Sequence, residues 1–159
     1  DMLVPRAVKD ANDRQKKVVA DKVIRFFGGN VRGRRIAVWG LAFKPETDDI
    51  REAPALDIAR ELRSAGATLA LHDPAALDTT RAVLGDDGIA YHADSYAALD
   101  GADALIVTTE WKEYRSPDWE RVRGLLGTPA VFDGRNLYDP ALMRELGYRY
   151  FGIGHGEAV

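Results

Sequence analysis

The stretch from Gly40 to Pro54 does most to limit what this chain can fold into. It follows a short apolar run, Ile36-Ala37-Val38-Trp39, that reads as a buried strand. It precedes a helical pattern from Pro54 to about Ala65, with Leu56, Ala59, Leu62 and Arg63 at helical spacing and Gly66 as the stop. Strand, loop and helix in that order open a crossover unit, and crossover units build parallel sheets. The loop is longer than most connections, which marks it as functional or disordered. Leu41, Phe43 and two prolines argue against disorder.

The alternation continues to the end of the chain. After a first strand at Arg35 to Trp39, strands are expected at Thr68 to His72, Ile89 to Tyr91 (weak), Ala104 to Thr108, Val131-Phe132 and, at an edge, Arg149 to Ile153. Helices are expected between them at Ala76 to Leu84, Ser95 to Leu99, Asp118 to Leu126 and Asp139 to Gly147. Upstream, Pro5 to Phe27 reads as one helix closed by Gly28-Gly29, with Asn12, Arg14, Gln15 and Lys16 on its polar side. The fold class is therefore α/β, a Rossmann-like, doubly wound parallel sheet preceded by a long helix. The tail from Gly154 to Val159 is expected to be loose.

Ligands of such sheets collect at the carboxyl ends of the strands. Lys44 and Arg51 place two cations in the first crossover, which suits a phosphorylated ligand. Asp48 and Asp49 have no general acid or base partner, so orienting Lys44 and Arg51 is their expected role. Arg51 has a second reading as an ion-pair or cap residue. Arg135, in Asp133-Gly134-Arg135-Asn136, also stands at a strand's carboxyl end. The dinucleotide fingerprint of three spaced glycines is missing after the first strand, where Phe43 and Lys44 stand instead. The domain should not bind NAD in the usual way by itself. Without that fingerprint, Asp73 is expected to be a structural turn residue rather than a ribose ligand.

His72, His92 and His155 lack metal-ligand or relay spacing, and no nucleophile motif occurs. The chain has no cysteine, which excludes disulfides, zinc thiolates and a thiol nucleophile within it. A net charge of −3 gives no footprint for nucleic acid, and no apolar run approaches a membrane span. A cytoplasmic location is the default expectation.

The run Gly40, Phe43-Lys44, Thr47-Asp48-Asp49, Arg51-Glu52 and Pro54 resembles the signature loop of the UDP-glucose/GDP-mannose dehydrogenase family, in its C-terminal, UDP-sugar-binding domain. Asp133-Gly134-Arg135-Asn136 resembles a second segment of that family, and Thr109-Glu110-Trp111 a third. The resemblance implies that residues 1–30 end an interdomain linker helix and that 31–159 form the UDP-sugar-binding domain. It implies that Phe43, Lys44 and Arg135 contact the UDP-sugar, and that Arg51 reaches NAD held by the N-terminal domain of the same polypeptide.

The implied parent is a homodimeric nucleotide-sugar 6-dehydrogenase. It oxidises a sugar alcohol to a carboxylate with two NAD, UDP-glucose being favoured over GDP-mannose or UDP-N-acetyl sugars. Its catalytic cysteine, catalytic lysine and NAD-binding glycines belong to segments this chain lacks. No catalytic residue is therefore expected here, and no activity from the chain alone. Asp1 and the helix that follows at once give no start signal, so the chain is expected to be a piece of a longer protein. A stand-alone nucleotide-binding regulatory module and a structural dimerisation domain remain the alternatives.

Overall fold

The computed structural model describes residues 16–153. Helical residues 16–26 are called α1. They are followed by β1 (Arg35–Trp39), α2 (Pro54–Ser64), β2 (Thr68–His72), α3 (Leu77–Leu84), β3 (Ile89–His92) and α4 (Ser95–Leu99). Then come β4 (Ala104–Val107), a 3-10 turn (Lys112–Tyr114), α5 (Trp119–Leu125), β5 (Ala130–Asp133), α6 (Pro140–Glu145) and β6 (Arg149–Gly152).

The six strands form one sheet in the order β3-β2-β1-β4-β5-β6, and every neighbouring pair is parallel. Side chains alternate across the sheet. Ile36, Val38, Ile106 and Phe132 face a core closed by Val19 and Val23 of α1 and by Ile58 and Leu62 of α2. Ala37, Trp39, Leu105 and Val131 face a second core closed by Leu99 of α4, Val122 of α5 and Met143 of α6. Central strands buried on both faces read as unbroken apolar runs, which is why β1 and β4 stand out in the sequence.

The doubly wound sheet is the expected one, with small shifts at element ends. β3 pairs fully with β2 and includes His92, because His72 and His92 stand opposite each other in register. β5 gains Ala130 and Asp133 over the expected two-residue core. α6 stops at Glu145, short of Gly147, whose φ of 85° takes the chain out of the helix. The Lys112–Tyr114 turn was not anticipated. Of the expected first helix, Pro5 to Gln15 lies outside the described residues, as does the tail from Gly154. Among the described residues no helix is long and apolar enough to cross a membrane.

Strand order reverses between β1 and β4. Their carboxyl ends are the switch point at which a sheet of this topology takes its ligand.

Candidate functional site

The switch point itself is filled. Gly40 has a φ of 95°, and a Cβ on it would lie 2.6 Å from the Thr109 side chain, so glycine is required there twice over. Thr108 Oγ1 donates to the Gly40 carbonyl at 2.6 Å, and Thr109 Oγ1 donates to the Ala42 carbonyl at 2.8 Å. These bonds lash the β1 loop to the β4 loop. Asp73, at the end of β2, is 2% exposed. Its Oδ2 accepts the amides of Leu41 at 2.7 Å and Ala42 at 3.2 Å and the Trp111 indole at 3.2 Å. Its Oδ1 accepts the amides of Ala75 at 2.8 Å and Ala76 at 2.9 Å.

The loop amides that a dinucleotide pyrophosphate would need are thus bonded to a carboxylate. This crossover does not fit NAD, and Asp73 is the structural residue the sequence predicts. His72 is built into the same wall. Its Nδ1 lies 2.7 Å from the Tyr114 hydroxyl, and burial pushes its pKa down.

The open site lies one step along the sheet edge, on the side of α1 and α2. A cleft of about 420 Å³ is lined by Lys16 and Val19 of α1, Phe43, Glu52, Pro54 and Ile58. Thr108, Gly134, Arg135 and Ile153 complete the lining. Phe43, 51% exposed, is among the most exposed large apolar side chains described. An apolar wall with a few polar groups is what a small-molecule site needs.

The Asp133–Asn136 loop forms the opposite wall, and its backbone is tightly fixed. Asp133, buried at the end of β5, accepts the Arg135 amide at 2.9 Å on Oδ1. Its Oδ2 accepts the Tyr138 amide at 3.1 Å and the Tyr150 hydroxyl at 2.7 Å. Gly134 passes so close to β4 that a Cβ would lie 3.1 Å from the Val107 carbonyl. Asn136, with a φ of 53°, donates from Nδ2 to the Ile153 carbonyl at 3.0 Å and accepts the Ile153 amide on Oδ1 at 2.8 Å. Arg135 then projects with Nη2 donating to Glu110 Oε1 at 2.7 Å.

Phe43 and Arg135, expected to share a ligand, therefore line one cleft. Lys44 and Arg51 do not line it. Lys44 is exposed beside Phe43. Arg51, with a side chain 87% exposed, lays its fork on Asp49, with Nε to Oδ1 at 3.0 Å and Nη2 to Oδ2 at 2.8 Å. Those side-chain bonds, with the Arg51 amide, hold the Asp49 carboxyl down to about 2. The ion pair foreseen as one reading of Arg51 is present, and the rest of its fork faces solvent. Glu46 and Glu52, at φ values of 65° and 60°, sit in the left-handed region on either side of this segment.

Two residues of the site were not singled out from the sequence. Lys16, on the polar side of α1, is only 11% exposed and pairs with Asp57 at 3.3 Å and Glu52 at 3.6 Å. Nothing in a helical pattern tells a solvated lysine from one turned onto a neighbouring helix. Glu110 was seen within its motif but had no role, because its partner Arg135 lies 25 residues away in the chain. No cluster of groups suited to a metal ion occurs among the described residues.

A family profile described as "UDP-glucose/GDP-mannose dehydrogenase family, UDP binding domain" matches residues 37–140. The UDP-glucose 6-dehydrogenase of Pseudomonas aeruginosa is 44% identical over 99% of this chain and 36% of its own length. UDP-glucose 6-dehydrogenase TuaD of Bacillus subtilis is 41% identical over 93% of the chain and 32% of its length. Among solved structures, a UDP-glucose dehydrogenase from Pyrobaculum islandicum superposes with a TM-score of 0.81 at 34% identity, covering 98% of this chain and 33% of that one. The chain thus spans about a third of the length of the relatives it matches.

Proposed function

The chain belongs to the UDP-glucose/GDP-mannose dehydrogenase family and carries its UDP-binding domain, and we propose that the cleft between Phe43 and Arg135 receives the nucleotide of a UDP-sugar. The observation that carries this reading is convergence. Phe43 and Arg135, 92 positions apart in sequence and each in a run that resembles a motif of the family, stand on opposite walls of one cleft. Phe43 offers a ring face to the uracil or ribose. Arg135 offers a guanidinium fork to the diphosphate, and Lys44, exposed next to Phe43, supplies a point cation.

The whole protein is then an NAD-dependent UDP-glucose 6-dehydrogenase, converting UDP-glucose to UDP-glucuronate. NAD, when bound, accepts the hydrides of both oxidation steps. It belongs to the N-terminal domain of the same polypeptide, since the Gly40 crossover here has its amides bonded to Asp73. Arg51 is the contact this chain makes toward it, its fork oriented on one side by Asp49. Helix α1 continues the linker between the two domains, and the whole protein works as a homodimer. This chain, having no cysteine, binds and orients but does not turn over.

Titrating the chain with UDP while following amide and methyl NMR signals tests the reading. Binding is expected in the millimolar range, about −4 kcal/mol, because only part of the site is present. Shifts should centre on Phe43, Lys44 and Arg135. Shifts confined to the surroundings of Asp73, or none at all, would refute it.

A further inference from the structure

We propose that Glu110 is the positioning residue for Arg135. It holds one terminal nitrogen of the guanidinium so that the remaining edge of the fork meets an anionic ligand in the cleft. This rests on the reading of the cleft as a UDP site. The backbone of the Arg135 loop is already fixed by Asp133 and, through Asn136, by Ile153. The Arg135 side chain is not fixed by any of these. Among the described residues its one side-chain partner is Glu110, at 2.7 Å from Nη2.

Glu110 is itself held. Its Oε1 faces Arg135 while its Oε2 lies 3.6 Å from Arg115 Nη2, so both carboxylate oxygens are engaged. It stands in the loop just after β4 and does not itself line the cleft that Arg135 lines. An arginine loses much rotamer freedom when it grips a ligand, and a partner that sets the rotamer beforehand removes part of that cost.

Removal of Glu110 should act opposite in sign to simple electrostatics. A carboxylate close to an anion site repels the anion. If Glu110 were only a counter-charge, deleting it would tighten UDP binding. If it positions Arg135, deleting it loosens binding despite removing a negative charge.

The test is calorimetric titration of this chain with UDP as parent, Glu110→Ala and Glu110→Gln, each also in an Arg135→Ala background. It is paired with the nitrogen-15 NMR signal of Arg135 Nε as a measure of side-chain order. Glu110→Ala should weaken UDP binding roughly two- to tenfold. Glu110→Gln, which keeps an acceptor, should stay within about twofold of the parent. In the Arg135→Ala background Glu110→Ala should cause no loss, and Arg135 Nε should become mobile in the single variant.

UDP binding as tight as or tighter than the parent's in Glu110→Ala would overturn the inference. So would an equal loss with and without Arg135, or an Arg135 signal that does not change. If no form bound UDP, the reading of the cleft would fall, and the Arg135 signal alone would decide whether Glu110 sets that side chain.

Discussion

The crossover after β1 and the loop after β5 lie on the same edge of the same sheet, and they are built in opposite ways. At the first, the amides of Leu41 and Ala42 end on the buried carboxylate of Asp73, and Gly40 lies against Thr109 with no space for a methyl group. At the second, a buried carboxylate, Asp133, ties down only backbone and tyrosine groups and leaves the Arg135 guanidinium turned outward. One acid fills the turn between strand and loop, and the other braces the wall of an open cleft. The difference is in what each acid's neighbours leave over. Asp73 accepts four amides and an indole N–H, whereas Asp133 accepts two amides and a hydroxyl while the Arg135 guanidinium bonds Glu110.

If the first region is structural, damage there should cost folding and not ligand affinity. Asp73→Ala carries the largest expected effect. It strands several buried donors, each costing about 1–3 kcal/mol. A loss of about 3 kcal/mol or more in urea unfolding is expected, with UDP affinity unchanged in the folded fraction. A stable Asp73→Ala chain that no longer bound UDP would reverse the assignment of the two regions. Next in size is Gly40→Ala. Left-handed backbone and the clash with Thr109 should together cost about 2–4 kcal/mol, and a melting curve within a degree of the parent's would show that the loops part easily.

The second region should answer the other way. Arg135→Ala is expected to weaken UDP binding roughly tenfold or more, the cost of a charge-assisted contact. Both side chains of its pair with Glu110 are more than a third exposed, so stability should move by no more than about 1 kcal/mol. A smaller split separates the two cations of the Gly40–Pro54 loop in the whole enzyme. Lys44→Ala should raise KM for the sugar nucleotide more than for NAD, and Arg51→Ala the reverse, each by up to roughly fivefold because both are exposed. Unchanged NAD kinetics in Arg51→Ala would leave Arg51 as the partner of Asp49 alone.

The smallest effect is a titration. Asp49 has its carboxyl lowered to about 2 by Arg51. The contribution of that pair is therefore complete above about pH 4 and is lost as pH falls toward about 2. Carboxyl NMR should show the low midpoint in the parent and an ordinary one in Arg51→Ala.

The sheet was legible because burial on both faces writes β1, β2 and β4 as apolar runs, and because Gly66 and Asp118 punctuate helices between them. Ends were less legible. Thr108, expected as the last residue of β4, lies just past it, with its amide still on the Trp39 carbonyl and its hydroxyl on that of Gly40. The site was legible only as motifs. Phe43 and Arg135 could be named because each stands in a distinctive run at a strand's end. That they would share a cleft with Lys16, and that Lys44 and Arg51 would stand outside it, depends on where the loop turns. Those turns are at Glu46 and Glu52, which have left-handed backbone without being glycine, so composition gives no warning of them. Asp73 gathers donors from Leu41, Ala42 and Trp111, and no local pattern can announce a partner more than thirty residues away.

Asn136 bonds both the amide and the carbonyl of Ile153, as a neighbouring strand would. A side chain here imitates backbone, and the last strand is in effect buttoned to the rim of the cleft by one amide group. Ile153 also lines that cleft. If a ligand in the cleft braces the Arg135 loop, its occupancy and closure of the strand's end are linked, and such linkage is reciprocal. A ligand that braces the Arg135 loop must slow hydrogen exchange at Ile153. A pull or a cut applied to the chain just beyond Ile153 must in turn loosen the ligand.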